Sequence, residues 1–280
     1  MIRKSVIENA PSLFIQTGKE QSSLFAMNFA RDVRHFVLRI TGGCGLMESH
    51  DAVGLKNLED ALSGHSEDGR ILPRFTGFGL FGGTRMLNSF DPTIIVPGIT
   101  EVFPKIQNRC PEAVFLGVIA KIGTLRYTQY GVVLSEDPGK GWFTVIHPGQ
   151  HSTVLLQPTS DAKASYEDEF KECARLCGEL RKLNWQNLLL VYNGGGVTEM
   201  ELKTWAALGK QDPDSWKVLI VNGSGRVADK YAADTEFLKE HPTVHVAEND
   251  VEAMRAKLLE LGAIKLPGES GLRLPRCAAG

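Results

Sequence analysis

Residues 188–196 (LLLVYNGGG) join an apolar run directly to three glycines. The same arrangement occurs at 35–45 (HFVLRITGGCG), 78–85 (FGLFGGTR) and 217–226 (KVLIVNGSGR). Short apolar runs are typical of buried parallel strands, and a glycine after a strand lets the backbone turn sharply and lets a ligand approach it. Because open α/β sheets bind their ligands at the carboxyl ends of the strands, these four ends predict a nucleotide-type pocket.

Around the four turns, strand-like and helix-like segments alternate. Apolar residues recur at helical spacing over 51–62, 99–108, 162–183, 197–208, 227–239 and 251–261, and further strand-like runs lie at 114–119 and 243–246. This alternation predicts an α/β fold, with a Rossmann-like parallel sheet and helices on both faces. Residues 1–30 give no firm pattern, although 14–15 and 24–27 are apolar enough for short strands or turns.

The middle of the chain departs from this alternation. Residues 124–158 contain short strand-like runs separated by turn signals at 136–141 and 147–150. We interpret this segment as a β-hairpin insertion at the edge of the sheet and a candidate flap over the pocket. The sequence therefore predicts a single domain over 1–280, with the insertion at about 124–158 and an extended Gly/Pro-rich tail at about 265–280.

Composition and charge argue against several functional classes. The chain has 280 residues, a formal net charge of -2 and 42% apolar residues, so it has no general attraction for nucleic acids or acidic membranes. No apolar stretch approaches the length of a transmembrane helix, and residues 7–10 are polar where a signal peptide would have its apolar core. We therefore expect a cytoplasmic protein that binds a small molecule, with a second copy or an effector protein open as further partners.

The cysteines and histidines predict no metal site. The five cysteines are scattered and odd in number, which is no disulfide framework. Cys173 and Cys177 lie four residues apart on one face of a predicted helix, and we interpret them as small buried apolar side chains. His147 and His151 are spaced as metal ligands can be, but they lie on a predicted loop with no third ligand nearby in the sequence.

The last turn, in which Gly223 and Gly225 flank Ser224, is the most specific of the four. The glycines free the backbone, and the serine supplies a hydroxyl. Arg226 opens the next predicted helix, where its guanidinium can hold a phosphate through two hydrogen bonds beside the positive helix N-terminus. Asp229 follows three residues later, and it can orient Arg226, contact a ribose hydroxyl or form an ordinary surface pair.

Two carboxylates, Glu199 and Glu201, follow the glycines of the third turn. A carboxylate near bound phosphate has the chemistry of a general base, or of a group that stabilises an oxocarbenium-like centre during N-glycosidic cleavage. Acidic residues are also favoured in the first turn of a helix by its dipole, so both interpretations stay open. In the same way, Trp142, Trp205 and Trp216 are candidates for stacking on adenine or for packing in the core.

Taken together, these segments resemble a known superfamily. Residues 223–229 (GSGRVAD) are similar to the corresponding segment in the N-terminal domain of TRPM cation channels. That domain belongs to the SLOG superfamily, together with the LOG "lysine decarboxylase-like" proteins. Residues 40–43 (ITGG) and 80–85 (LFGGTR) resemble the first two glycine turns of this family in the same order. Residues 193–201 (NGGGVTEME) are similar to the Pro-Gly-Gly-x-Gly-Thr-x-x-Glu loop of the wider superfamily, so the resemblance covers about 33–262.

The resemblance implies a stand-alone SLOG-like domain that binds a nucleotide derivative, such as ADP-ribose or an NAD-type molecule, and requires no further cofactor. Asn193 and Val197 replace a proline and a glycine of the LOG loop, and the basic segment 173–182 does not reproduce the arginine-rich helix that LOG enzymes use in catalysis. We therefore expect ligand binding or sensing, with a nucleotide hydrolase that cleaves an N-glycosidic bond as the alternative and a scaffold with a vestigial pocket as a third reading. The expected ligand contacts are Gly42, Gly43, Gly82, Gly83, Thr84, Arg85, Gly194, Gly195, Gly196, Thr198, Gly223, Ser224, Gly225, Arg226 and Asp229, and the candidate catalytic residues are Glu199 and Glu201.

Overall fold

The computed structural model describes residues 2–5, 12–17, 36–42, 51–64, 66, 70–96, 98–110, 112–120, 126–128, 131–137, 142–147, 152–157 and 165–266. The strands in these ranges are β1 (Ile2–Ser5), β2 (Ser12–Thr17), β3 (Phe36–Gly42), β4 (Arg74–Phe75), β5 (Phe78–Gly82), β6 (Thr84–Asn88), β7 (Ile95–Val96), β8 (Val114–Ala120), β9 (Arg126–Thr128), β10 (Gly131–Asp137), β11 (Trp142–Ile146), β12 (Ser152–Gln157), β13 (Gln186–Tyr192), β14 (Trp216–Asn222), β15 (Val244–Glu248) and β16 (Ile264–Lys265). The helices are α1 (Asp51–Ser63), α2 (Val102–Arg109), α3 (Tyr166–Arg181), α4 (Gly196–Gln211), α5 (Arg226–Ala232), α6 (Thr235–Glu240) and α7 (Val251–Glu260), and a 3₁₀ turn (Ile99–Glu101) leads into α2.

One sheet of nine strands forms the centre of the fold, in the order β1-β2-β12-β8-β5-β3-β13-β14-β15. β1 pairs with β2 in the antiparallel sense, and every other neighbouring pair in this sheet is parallel. Six neighbouring strands of this sheet, β8-β5-β3-β13-β14-β15, can be renumbered 1 to 6 in the order in which they occur in the chain. Their order across the sheet is then 3-2-1-4-5-6, which is the order of doubly wound dinucleotide-binding sheets. This order confirms the predicted Rossmann-like parallel sheet and puts its topological switch point between β3 and β13.

Helices cover both faces of the sheet, as the sequence predicts. On one face α3, α4 and α5 pack over a core that contains Trp205 and Trp216. These two rings meet edge to face with their centroids 5.2 Å apart, so they belong to the core and offer no stacking surface. On the other face α1, α2 and α7 contribute Leu58, Phe103 and Leu258 to a second buried cluster. The two helical layers therefore bury both faces of the sheet.

The predicted insertion differs from what the structure shows. A second sheet, antiparallel throughout, has the order β7-β6-β11-β10-β9, so it combines the expected β10–β11 hairpin with two strands from 84–96. β12, which we expected within the insertion, instead joins the main sheet between β2 and β8. Local pattern identifies a strand but not its partners, and the pairing of β12 with β2 links distant parts of the chain.

Two predicted helices also have different bounds. The segment expected as one helix over 227–239 is split into α5 and α6, because Asp234 begins a new helix and accepts the Phe237 N–H at 2.9 Å. α3 begins after Ser165, whose side chain forms a capping box with Asp168, a strong local start signal. Of the expected extended tail, β16 pairs with β4 and the part from residue 267 onward lies outside the described residues.

The part of the chain that the structure describes contains no helix long and apolar enough to span a bilayer.

Candidate functional site

The carboxyl ends of β3, β5, β13 and β14 lie at one edge of the sheet, because these strands are parallel to one another. The prediction that the four glycine turns share one edge is therefore confirmed. At the end of β3, a side chain on Gly42 would overlap the main-chain carbonyl oxygen of Tyr192, so glycine permits the close approach of β3 and β13. The expected ligand contact at Gly43 lies outside the described residues.

The second turn is a poorer anion site than its glycines suggest. Gly83 donates its N–H to the Val118 carbonyl at 3.2 Å and accepts the His147 N–H at 2.8 Å, so its main-chain groups are already bonded. No helix follows, since β6 begins at Thr84 and continues into the second sheet. The phosphate contacts expected at Gly82, Gly83 and Thr84 therefore have neither the helix terminus nor the free Gly83 N–H on which the expectation depended.

The side chain that follows this turn, Arg85, is also engaged. Its Nε and Nη2 donate to the two carboxylate oxygens of Glu101 at 2.8 and 2.6 Å. His147 is buried beside this pair, with Nε2 3.2 Å from Glu101 Oε1 and 3.5 Å from Arg85 Nη2. Burial raises the pKa of the Glu101 carboxyl, but the bonds from His147 and Arg85 outweigh burial and hold this pKa below its ordinary value. The expected ligand contact Arg85 thus joins β6 to the 3₁₀ turn.

The third turn, between β13 and α4, presents an uncapped helix N-terminus. Asn193 and Gly194 have φ angles of 58° and 97°, and the left-handed turn is held by the Gly194 N–H, which donates to Asn193 Oδ1 at 2.7 Å. Gly195 is the N-cap, and no side chain caps the 16-residue helix that follows. The N–H groups in the first turn of a helix have no partner within it, and those of 196–198 form no other hydrogen bond with the described residues. Thr198 in this turn is 4% exposed, and its hydroxyl has no partner among the described residues.

Arg226 brings a guanidinium to the same terminus. Its Nη2 lies 2.7 Å from the position that a Cβ on Gly195 would occupy, so the missing side chain at Gly195 leaves room for the approach. Arg226 is exposed and makes no hydrogen bond or ion pair with any residue that the structure describes. Its φ is 48°, a conformation that costs roughly 1–3 kcal/mol in a non-glycine residue and that concentrates at functional sites.

The fourth turn is held by its own hydrogen bonds and is joined to the third turn. Ser224 accepts the Asn193 N–H at 2.8 Å and donates its hydroxyl to the Val221 carbonyl at 2.6 Å, which fastens the two turns together. Asp229 accepts the N–H groups of Gly223 and Gly225 at 2.7 and 3.0 Å. The Gly225 N–H that we expected beside a phosphate is therefore bonded, and Asp229 stabilises the turn without pairing with Arg226.

The candidate catalytic carboxylates are both engaged elsewhere. Glu199 accepts hydrogen bonds from Tyr231 Oη at 2.6 Å and Lys230 Nζ at 3.0 Å, and it lies 3.1 Å from Lys203 Nζ. These contacts, led by the tyrosine, lower the pKa of Glu199 to about 2. Glu201 is 0% exposed and accepts two hydrogen bonds from Arg39, at 2.8 and 3.3 Å. Neither arrangement is that of a general base open to a substrate.

Sequence reasoning overlooked two residues near this edge, Arg39 and Glu169. Arg39 interrupts the apolar run of β3, is 4% exposed and bonds Glu201 as described above. Its Nη2 also lies 3.6 Å from Glu169 Oε1, in the first turn of α3. The sequence does carry a signal for Arg39, because a charged residue within a buried parallel strand requires a partner.

Within the described ranges, no group of three or more His, Cys, Asp or Glu residues is placed to hold a metal ion, and His151 lies outside those ranges. Cys173 and Cys177 are buried free thiols, and burial raises the pKa of both well above its ordinary value. Their burial confirms the interpretation of this pair as core residues.

Among the described residues at the carboxyl edge, the N-terminus of α4, the hydroxyl of Thr198 and the guanidinium of Arg226 have no partner. All three are held by main-chain geometry that depends on glycines or on positive φ angles. No protein-family model and no curated protein matches this sequence. The chemistry of the site itself therefore carries the functional argument.

Proposed function

We propose that this chain binds a nucleotide-derived ligand, such as ADP-ribose or an NAD-type molecule, as a SLOG-like sensor or regulatory domain. One observation carries the proposal: the unpartnered guanidinium of Arg226 lies over Gly195, at the uncapped N-terminus of α4. In this proposal a phosphate of the ligand binds between the guanidinium and the N–H groups of 196–198.

The electrostatics of the site favour an anion. The aligned peptide dipoles of a helix are equivalent to about half a positive charge at its N-terminus, and Arg226 adds a full charge at the same place. A guanidinium matches a phosphate through two parallel hydrogen bonds, and Thr198 contributes a hydroxyl that can donate a further one. An anion bound here satisfies several donors that have no partner among the described residues.

The fold favours a nucleotide over a bare phosphate. The α4 terminus directly follows β13, one of the two strands that flank the topological switch point. In doubly wound sheets this is the crevice in which a mononucleotide or dinucleotide lies along the carboxyl edge. A ligand whose phosphate occupies the α4 terminus therefore has the rest of its length directed across β3.

The hydrolase alternative receives no support from its two candidate residues. Glu201 is fully buried in an ion pair with Arg39, and Glu199 accepts hydrogen bonds from Tyr231 and Lys230. Ligand binding without cleavage is accordingly the function that the geometry favours.

Calorimetric titration tests the proposal with four probes: ADP-ribose, NAD, AMP and cyclic AMP. We expect binding of at least one probe by the unaltered protein, and a roughly ten- to a hundredfold weaker affinity in Arg226→Ala, the effect of one charge-assisted bond. Arg226→Lys recovers only part of the affinity, because lysine lacks the planar fork. Arg181→Ala is the matched control, since it removes the same charge at the far end of α3, where Arg181 pairs with Asp212. Equal affinities for the unaltered protein and Arg226→Ala would refute the proposed phosphate site.

A further inference from the structure

Asn193 brings a second polar side chain to the turn from which α4 begins. The residue lies two positions before the N-cap Gly195 and is 4% exposed. Its φ of 58° is left-handed, a conformation that asparagine adopts more readily than most residues. The Gly194 N–H donates to Oδ1 at 2.7 Å, and the oxygen is the one atom of the amide that can accept. The orientation of the amide is therefore fixed, with Nδ2 as its donor.

The Nδ2 group of Asn193 has no acceptor within the part of the chain that the structure describes. This nitrogen is nevertheless not sealed from solvent, although the rest of the residue is buried. Polar atoms of buried side chains are nearly always hydrogen-bonded in native proteins. An oxygen atom from outside the chain can therefore reach this donor and satisfy it.

The third and fourth glycine turns exchange side chains at this point. Nδ2 is the atom of Asn193 nearest to Gly225, at 3.4 Å from the position that a Cβ there would occupy. In the same way, Arg226 Nη2 lies 2.7 Å from the Cβ position on Gly195. The Asn193 carbonyl also accepts the Ala228 N–H at 3.1 Å, which holds α5 against the turn. The amide and the guanidinium thus lie at one junction, beside the start of α4.

The two side chains differ in charge and in mobility. Arg226 is charged and exposed, whereas the Asn193 amide is neutral, buried and fixed by the Gly194 N–H. A donor that is held in place before binding loses little freedom when a ligand arrives. The oxygens of a phosphate accept strong hydrogen bonds from several donors, so a phosphate at α4 can take this one as well.

The residue type at position 193 is informative. Aspartate also tolerates a left-handed φ, and its carboxylate can accept the Gly194 N–H equally well. The turn by itself therefore does not require an amide. Asparagine differs from aspartate by its donor and by its lack of charge, and both differences favour an anion beside the side chain.

We propose that Asn193 is a specificity-determining contact of the phosphate site, with Nδ2 donating to a phosphate oxygen of the ligand while Oδ1 holds the turn. The inference rests on the proposed function, because it takes the phosphate to be bound at α4. It adds a neutral, rigid donor to the guanidinium of Arg226 and to the N–H groups of 196–198.

Asn193→Asp tests the contact, because it keeps an oxygen that holds the turn and exchanges the donor for a negative oxygen. The probes are ADP-ribose and inorganic pyrophosphate, measured by calorimetry. We expect the variant to bind both at least roughly a hundredfold more weakly, since a charge-assisted bond is lost and a like charge is added. Asn184→Asp is the matched control, because Asn184 is exposed, has a φ of 63° and lies just before β13, at the opposite end of the strand. That variant should bind both probes like the unaltered protein.

The pH dependence distinguishes a ligand contact from a purely structural role. A bound phosphate disfavours the charged form of a neighbouring carboxyl, and the protonated form has a donor again. The affinity of Asn193→Asp for ADP-ribose should therefore approach that of the unaltered protein as the pH falls from about 7 to about 5, with uptake of a proton on binding. A loss of affinity that is the same at both pH values would show that the substitution acts through the turn alone, which would overturn the inference.

The outcomes separate this inference from the proposed function. If Arg226→Ala weakens both probes while Asn193→Asp changes neither, the Asn193 contact is refuted and the phosphate site stands. If Asn193→Asp weakens ADP-ribose but leaves pyrophosphate unchanged, Asn193 contacts another part of the ligand, and the inference is overturned. If the unaltered protein binds neither probe, both proposals fail for diphosphate ligands.

Thermal unfolding checks that Asn193→Asp is folded. Should it not fold, Asn193→Gly takes its place, because glycine adopts a left-handed φ without strain and removes the donor without adding charge. We then expect roughly tenfold weaker binding of both probes, and unchanged affinities would overturn the inference.

Discussion

Replacing Glu201 by glutamine removes the negative charge that neutralises Arg39 inside the protein. Both side chains are buried, at 4% and 0% exposed for Arg39 and Glu201, so water cannot replace the lost charge. Breaking a buried ion pair by removing one partner costs about 3–5 kcal/mol. We therefore expect Glu201→Gln to lower the free energy of unfolding substantially, although the residue lies next to the proposed binding site.

The size of the effect follows from the geometry. At the 2.8 Å between Arg39 Nε and Glu201 Oε1, the attraction at an effective dielectric constant of 20 is about 6 kcal/mol before desolvation is counted. Glutamine keeps one oxygen that can accept from Arg39, and Glu169 at 3.6 Å supplies some compensating charge. Both considerations place the expected loss near the lower bound, at about 3 kcal/mol.

Urea unfolding followed by the fluorescence of buried Trp205 and Trp216 measures this loss. With a slope of about 3 kcal/mol per M, the midpoint should fall by about 1 M. The control replaces both partners, Arg39→Met together with Glu201→Leu, and should be as stable as the unaltered protein or more so. A Glu201→Gln midpoint within about 0.3 M of the unaltered value would refute the buried-pair reasoning. If such a stable variant also lost hydrolysis of a nucleotide, Glu201 would return as a catalytic residue.

Two further predictions concern stability. The pKa of Glu101 is held below its ordinary value of 4.5, so its contribution to stability is complete above pH 4.5 and is lost as the pH falls through the folded-state pKa. In Glu101→Gln this part of the acid-induced loss should disappear from unfolding free energies measured against pH, and an unchanged pH slope would contradict the assignment. Gly54→Ala should destabilise by about 1–3 kcal/mol, because the added Cβ would overlap Tyr192 Oη and lie 2.6 Å from Asn249 Nδ2. A Cβ on Gly178, within α3, would meet no atom within 4 Å, so Gly178→Ala should instead stabilise the protein by about 0.5–1 kcal/mol. A gain in thermal stability for both variants would contradict the packing argument.

The main sheet was predictable because each parallel strand carries its own local signature. An apolar run that ends in glycine identifies both the strand and the direction in which its carboxyl end points, as 188–196 shows. Parallel direction then fixes the common edge without knowledge of side-chain contacts. This reasoning did not place β12 in the main sheet, because its neighbour β2 lies in a segment where the sequence pattern is weak.

The site was less predictable, because glycine turns look alike in sequence whether their N–H groups are free or bonded. The Gly83 N–H is used by Val118 and the Gly225 N–H by Asp229, and only the three-dimensional arrangement distinguishes them from the open groups at α4. Arg226 was identified correctly as the first residue of a helix after a glycine turn. Its approach to Gly195 depends on how two separate turns meet, which no local pattern contains.

The pairing of β3 with β13 has a consequence for synthesis of the chain. Arg39 and Glu201 are 162 residues apart in sequence, so at about 5–20 residues per second the ribosome needs roughly 8–30 s to deliver the partner after the arginine. During that interval one edge of β3 has no neighbour in its own chain, and such apolar edges template aggregation. A charge within the strand discourages association with other nascent chains. We therefore expect Arg39 to oppose association of nascent chains at this edge of β3 until β13 and Glu201 have been synthesised.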